Sequence, residues 1–195
     1  MRFLLAMALL AASPTLAFAH TGVGNTVGFM HGLEHPLGGL DHMLAMVAVG
    51  VFAYTLAGHA RWLVPTAFVA MMVAGFALGT TAFDLPLVET GIALSSIVIG
   101  IAAASGRSMP TAVAMALVGA FAVFHGFAHG GEMPAVTDGT AYALGFVVAT
   151  TLLHAVGLAA AFGGHMVTSR LGNRAARLAG GALALGGVGV LAGWL

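Results

Sequence analysis

The chain has 195 residues, 60% of them hydrophobic and 6% charged, with a mean hydropathy of +1.04. A water-soluble domain needs about a quarter of its residues charged, so this composition excludes one and points to membrane. Six arginines, no lysine and six acids cancel to zero net charge, which excludes a basic nucleic-acid surface, and the absence of cysteine excludes disulfides and thiolate metal sites.

Residues 1–19 read as a signal peptide. Arg2 is the positive n-region, Phe3 to Ala12 the apolar h-region, and Ala17-Phe18-Ala19 the small-x-small cleavage site after Pro14. Cleavage leaves residues 20–195 as a single transmembrane domain, with His20 as the new terminus. A free amine beside that imidazole is either a bidentate metal ligand or an idle end.

Apolar stretches then fall at 37–57, 64–83, 87–104, 111–128, 140–162 and 176–195. At about 1.5 Å per residue each crosses a hydrocarbon core of roughly 30 Å, some marginally. The expected fold is therefore an all-α bundle of six transmembrane helices. With the mature N-terminus outside, Arg61, Arg107, Arg170 and Arg174 lie in inner loops and Arg177 at the inner edge of the last span, as the positive-inside rule requires. Glu34, Asp41, Asp84, Glu89, Glu132 and Asp138 all lie at the outer face. Both termini are expected to be periplasmic and the location is the bacterial inner membrane. Small-x-x-x-small pairs at Gly75/Gly79, Gly126/Gly130 and Gly189/Gly193 are expected to pack helices and, beyond that, to serve contacts of a homo-oligomer.

Two segments concentrate the chemistry. The first runs from His31 through Glu34, His35 and Pro36 to Asp41 and His42. In one continuous helix His31, His35 and His42 would fall within about 40° of each other. Pro36 instead suits the first turn of a helix, with His35 extended before it. An Asp and a His at membrane depth need a partner, water or an ion. The second segment ends the fourth span, where His125, His129 and Glu132 stack on one helical face. Imidazole and carboxylate donors suit nickel, cobalt and zinc.

Two groups lie apart. Glu89, at the outer start of the third span, completes a metal shell or is an interfacial carboxylate. His154 lies 14 residues past Thr140, about 21 Å along the helix. It is a transient second ligand or proton acceptor, or else it bonds Thr150 or Thr151. Phe68 and Phe121 are expected to be core packing rather than path lining.

The motifs His35-x5-Asp41-His42 and Phe124-His125-Gly-x-Ala-His129-Gly-x-Glu132 resemble the signatures of the HupE/UreJ family of bacterial nickel and cobalt permeases, and the likeness extends over nearly the whole chain. The resemblance implies inward transport of Ni²⁺ or Co²⁺, with metal roles for His35, Asp41, His42, His125, His129 and Glu132. His20, His31, Glu89 and His154 are added from the residues alone. The ion is the transported substrate and no resident cofactor is expected. The expected partners are thus a divalent metal ion and the lipid bilayer. No Walker-type loop is present, which makes the expected function a secondary permease and not an enzyme. The alternative is an intramembrane metal-dependent hydrolase, with histidines holding zinc beside Ser95 or Ser96. A haem protein with histidine ligands is a more remote third reading.

Overall fold

The computed structural model describes residues 25–56, 58–135, 137–167 and 172–195, and these form seven α-helices with no strand among them. They are α1 (Asn25–Gly38), α2 (Leu40–Thr55), α3 (Ala60–Gly79), α4 (Val88–Ser105), α5 (Thr111–Gly131), α6 (Gly139–Val167) and α7 (Gly172–Leu191). Helices α3 to α7 are each long and apolar enough to cross a membrane. Helices α1 and α2 together are also long and apolar enough to cross, but the pair is bent by 85° at the break between them, the geometry of a broken span or a re-entrant loop. The signal-peptide reading and His20 lie outside the described residues.

That bend departs from the expected first span. Pro36 does not open a helix; it lies in the last turn of α1, and His35 is helical. Pro36 lacks the N–H that the Gly32 carbonyl would otherwise accept, so the helix stops two residues later. Gly39 then takes an extended conformation, φ −106° and ψ 121°, and α2 starts in a new direction. His31, Glu34 and His35 therefore sit on a different helix from Asp41 and His42.

Close helix pairing explains much of the glycine content. A methyl added at Gly75 or Gly79 of α3 would strike the backbone of Val123 or Phe127 on α5, and one at Gly126 or Gly130 of α5 would strike that of Met72 or Phe76. Later residues meet later residues, so α3 and α5 run parallel and end on the same side of the bundle. The same device joins Gly32 of α1 to Tyr142 of α6, and Gly50 of α2 to His154 of α6. Backbones come this close because lipid offers no hydrophobic drive and packing must do the work. Gly189/Gly193 does not follow the pattern. A methyl at Gly189 would meet only Leu195 of its own terminal segment, and Gly193 lies past the helix end with φ 68°.

The core between helices is apolar, with Met46, Phe52, Phe68, Met72, Ile99 and Phe146 almost fully buried. Its polar exceptions matter more. His42, Ser95, Ser96, His125, His129, Thr150 and His154 are all buried.

Candidate metal centre

The hinge at Gly39 brings the two sequence motifs together. Helix α5 runs on to Gly131, beyond the expected end of the fourth span, so His125 and His129 occupy successive turns and Glu132 caps the helix. From α1, His35 reaches across, and its Nε2 lies 2.8 Å from Oε2 of Glu132. The His35 ring is 4.8 Å from that of His129 and 6.3 Å from that of His42. From α2, His42 lies 4.8 Å from His125 and 5.2 Å from His129, centroid to centroid. Four imidazoles from three helices therefore form one contiguous group.

A cleft of about 510 Å³ opens above this group, lined by His31, Glu34, His35, Asp41, His42, Glu132 and Tyr142, with Gly38, Gly39 and Pro134. His31 and Glu34 are exposed on its lining, while His125 and His129 are fully buried beneath it. Glu89 is exposed in the first turn of α4 and is not part of the cleft lining. His154 is buried deeper in α6, away from the cleft.

Hydrogen bonds determine which nitrogen each buried ring offers. Oδ1 of Asp41 accepts the backbone N–H of His42 at 2.7 Å and its ring Nδ1–H at 3.0 Å. A carboxylate only accepts, so in the neutral ring the lone pair is on Nε2 of His42. The pair lies within one helix turn and does not tie helices together. Gly39 makes room for it, because a methyl there would come within 2.7 Å of Oδ1 of Asp41 and 3.1 Å of Nδ1 of His42.

Ser95 performs the corresponding task for His125. Its Oγ is 2.6 Å from the Ile92 carbonyl and 2.9 Å from Nε2 of His125. The single hydroxyl proton goes to the carbonyl, so Oγ accepts from Nε2–H and the lone pair of His125 is on Nδ1. The hydroxyl is fully buried and its proton is engaged, which is not the arrangement of a nucleophile. The free nitrogens, Nε2 of His42, Nδ1 of His125 and both of His129, are buried without a hydrogen-bond partner, as is the Tyr142 hydroxyl. His129 is held by stacking on Phe146, 4.8 Å away and 3° from parallel.

The donor set suits a borderline divalent ion in its chemistry. In this conformation, however, no three His, Asp or Glu side chains among the described residues are arranged to hold a metal ion. The His35–Glu132 contact occupies two of the donors.

The family described as HupE / UreJ protein matches residues 6–190. The chain belongs to the HupE/UreJ family. It is 46% identical over 182 residues to "Protein HupE" of Rhizobium leguminosarum bv. viciae, covering 93% of each chain. No solved structure matches. The matched region contains the hinge, both motifs and nearly all of the helical unit, so HupE/UreJ membership applies to the whole of it.

Of the expected site residues, the fold gathers His35, Asp41, His42, His125, His129 and Glu132, with His31 on the cleft lining. Glu89 and His154 stand apart. Two contributors escaped the sequence reading. Tyr142 carries no motif, though it is one of only two tyrosines and lies three residues into α6. Ser95 reads in the sequence only as a nucleophile, because its bond to His125 spans 30 residues and leaves no trace in local spacing.

Proposed function

We propose that this HupE/UreJ protein is a secondary permease importing Ni²⁺ or Co²⁺ across the bacterial inner membrane. One observation carries the reading: four imidazoles, three of them with at least one ring nitrogen uncommitted, run from the lining of a cleft that also carries carboxylates (His35 and His42) to the buried layer beneath it (His125 and His129). Polar groups left unpaired inside a membrane bundle are costly, and an ion that visits them is the economical reason for their presence.

In this reading the cleft faces the periplasm, as the distribution of arginines and acids supports. His31 and Glu34 collect the ion, joined by His20 once the signal peptide is removed. The ion then separates His35 from Glu132 and takes both as ligands. Below, it meets Nε2 of His42, Nδ1 of His125 and a nitrogen of His129. Asp41 acts mainly by holding the His42 tautomer, as carboxylates behind metal-bound histidines commonly do. Glu89 adds negative potential at the entry side. Neutral imidazole and carboxylate without thiolate give a site strong enough to select and weak enough to release.

Uptake of radioactive nickel and cobalt by cells producing wild type, His42→Ala or Glu132→Gln tests this. Both substitutions are expected to reduce uptake at least tenfold with unchanged protein levels. Equal uptake in all three refutes the site. Turnover of a lipid amide without metal flux would favour the hydrolase alternative.

A further inference from the structure

Beneath the outer cluster, a second histidine breaks the apolar core. His154 of α6 is 4% exposed, and neither ring nitrogen has a hydrogen-bond partner. The threonines expected to hold it are engaged elsewhere. Thr150 points its hydroxyl at Sδ of Met72, 3.5 Å away, and Thr151 donates to the Val147 carbonyl at 2.7 Å. In the rest of the buried polar set, Ser96 donates to the Ala93 carbonyl, Thr150 to Met72, and the others belong to the outer group; His154 has no partner of any kind. Packing alone would be served as well by leucine or phenylalanine, without the cost of desolvating an imidazole.

Its neighbours suggest why it is there. The Phe68 ring, fully buried, lies between His125 and His154, with centroid distances of 5.6 Å and 5.1 Å. It meets His154 edge-on at 89°. His154 also lines a separate open cavity of about 300 Å³ between α3 and α6, with Pro65 and the exposed Trp62, Thr66 and Thr151. This cavity shares no lining residue with the cleft of the outer cluster. Along α6, His154 is 12 residues beyond Tyr142 of that cleft, about 18 Å deeper.

We infer that His154 is an inner relay ligand, which takes the divalent ion from His125 when the Phe68 ring swings aside and passes it to the cavity between α3 and α6. The inference rests on the permease reading. One imidazole completed by water binds nickel or cobalt weakly, which is what a release step requires. Phe68 as the barrier keeps the outer and inner sites from being joined by a continuous wet path.

The test uses the full-length protein purified in detergent and reconstituted into proteoliposomes. Co²⁺ binding at the outer cluster is followed by visible absorption, and ⁶³Ni²⁺ entry by initial rate, for wild type, His154→Leu, His154→Gln and His154→Asn. The expected result is Co²⁺ affinity within twofold of wild type together with at least a tenfold lower entry rate. Ni²⁺ preloaded on the outer cluster should also discharge into the lumen more slowly in the variants. A variant that binds Co²⁺ normally and imports Ni²⁺ at the wild-type rate overturns the relay. Loss of Co²⁺ binding in all three variants also overturns it, since that would make His154 a support of the outer site. Wild-type proteoliposomes that import neither ion refute the permease reading itself, a distinguishable failure.

Discussion

Ser95→Ala separates a histidine that merely lies near its neighbours from one aimed at them. In the native protein the Ser95 hydroxyl is spent on the Ile92 carbonyl at 2.6 Å and accepts Nε2–H of His125 at 2.9 Å. Alanine removes the acceptor and leaves the ring two choices. If Nε2–H stays, a buried donor is orphaned, costing about 1–3 kcal/mol of stability. If the proton moves to Nδ1, that nitrogen no longer has a lone pair to offer and the site loses a ligand. Partners of this kind behind a metal-bound histidine are worth about 10–100-fold in affinity, or about 1.4–2.7 kcal/mol. Co²⁺ titration of the purified protein should therefore show a Kd at least tenfold higher for Ser95→Ala. Ser95→Thr, which keeps the hydroxyl, should stay within a few-fold of wild type, even if its extra methyl lowers thermal stability. Wild-type Co²⁺ affinity in Ser95→Ala would refute the assignment of Nδ1 as the working nitrogen of His125.

Other substitutions probe the remaining supports. Asp41→Asn keeps an oxygen able to accept from Nδ1 of His42, so it should retain far more Co²⁺ affinity than Asp41→Ala; equal losses in isothermal titration would mean that Asp41 is itself a ligand. Gly39→Ala forces a methyl against the Asp41–His42 pair, and nickel uptake should fall at least tenfold while the protein still reaches the membrane. Gly126→Leu drives a side chain into the Met72 backbone, and loss of folded, monodisperse protein on size-exclusion chromatography is the expected outcome. Tyr142→Phe removes a buried hydroxyl with no partner, so thermal stability in detergent should hold or rise, while a fall in metal affinity would identify the phenol as a contact made once the ion is bound.

Much of this protein is written in composition and spacing. Apolar run length dictates spanning helices because lipid leaves no other way to satisfy the backbone, and five helices and one bent pair fall on the six apolar stretches of the sequence. The i, i+4 relation of His125 and His129 placed both on one face of α5, since the helical repeat is a local property. The Gly75/Gly79 and Gly126/Gly130 spacings marked close helix packing for the same reason, though only the structure shows that they face each other across α3 and α5.

Other features had no local cause. The 85° bend at Gly39 was missed because Pro36 is compatible with the start of one helix or the end of another, and packing of α1 against α6 through Gly32 decides for the second. Only that bend brings His35 within 2.8 Å of Glu132, joining segments nearly a hundred residues apart. Partner choice for single side chains was equally beyond the sequence: Ser95 to His125, Phe68 between His125 and His154, Thr150 to Met72. Histidines and carboxylates at two helix ends follow from the order of the residues. Which nitrogen each ring offers, and which histidine stands alone beneath the rest, depends on contacts between helices distant in sequence, because a proton's position on an imidazole is set by whatever lies across the interface.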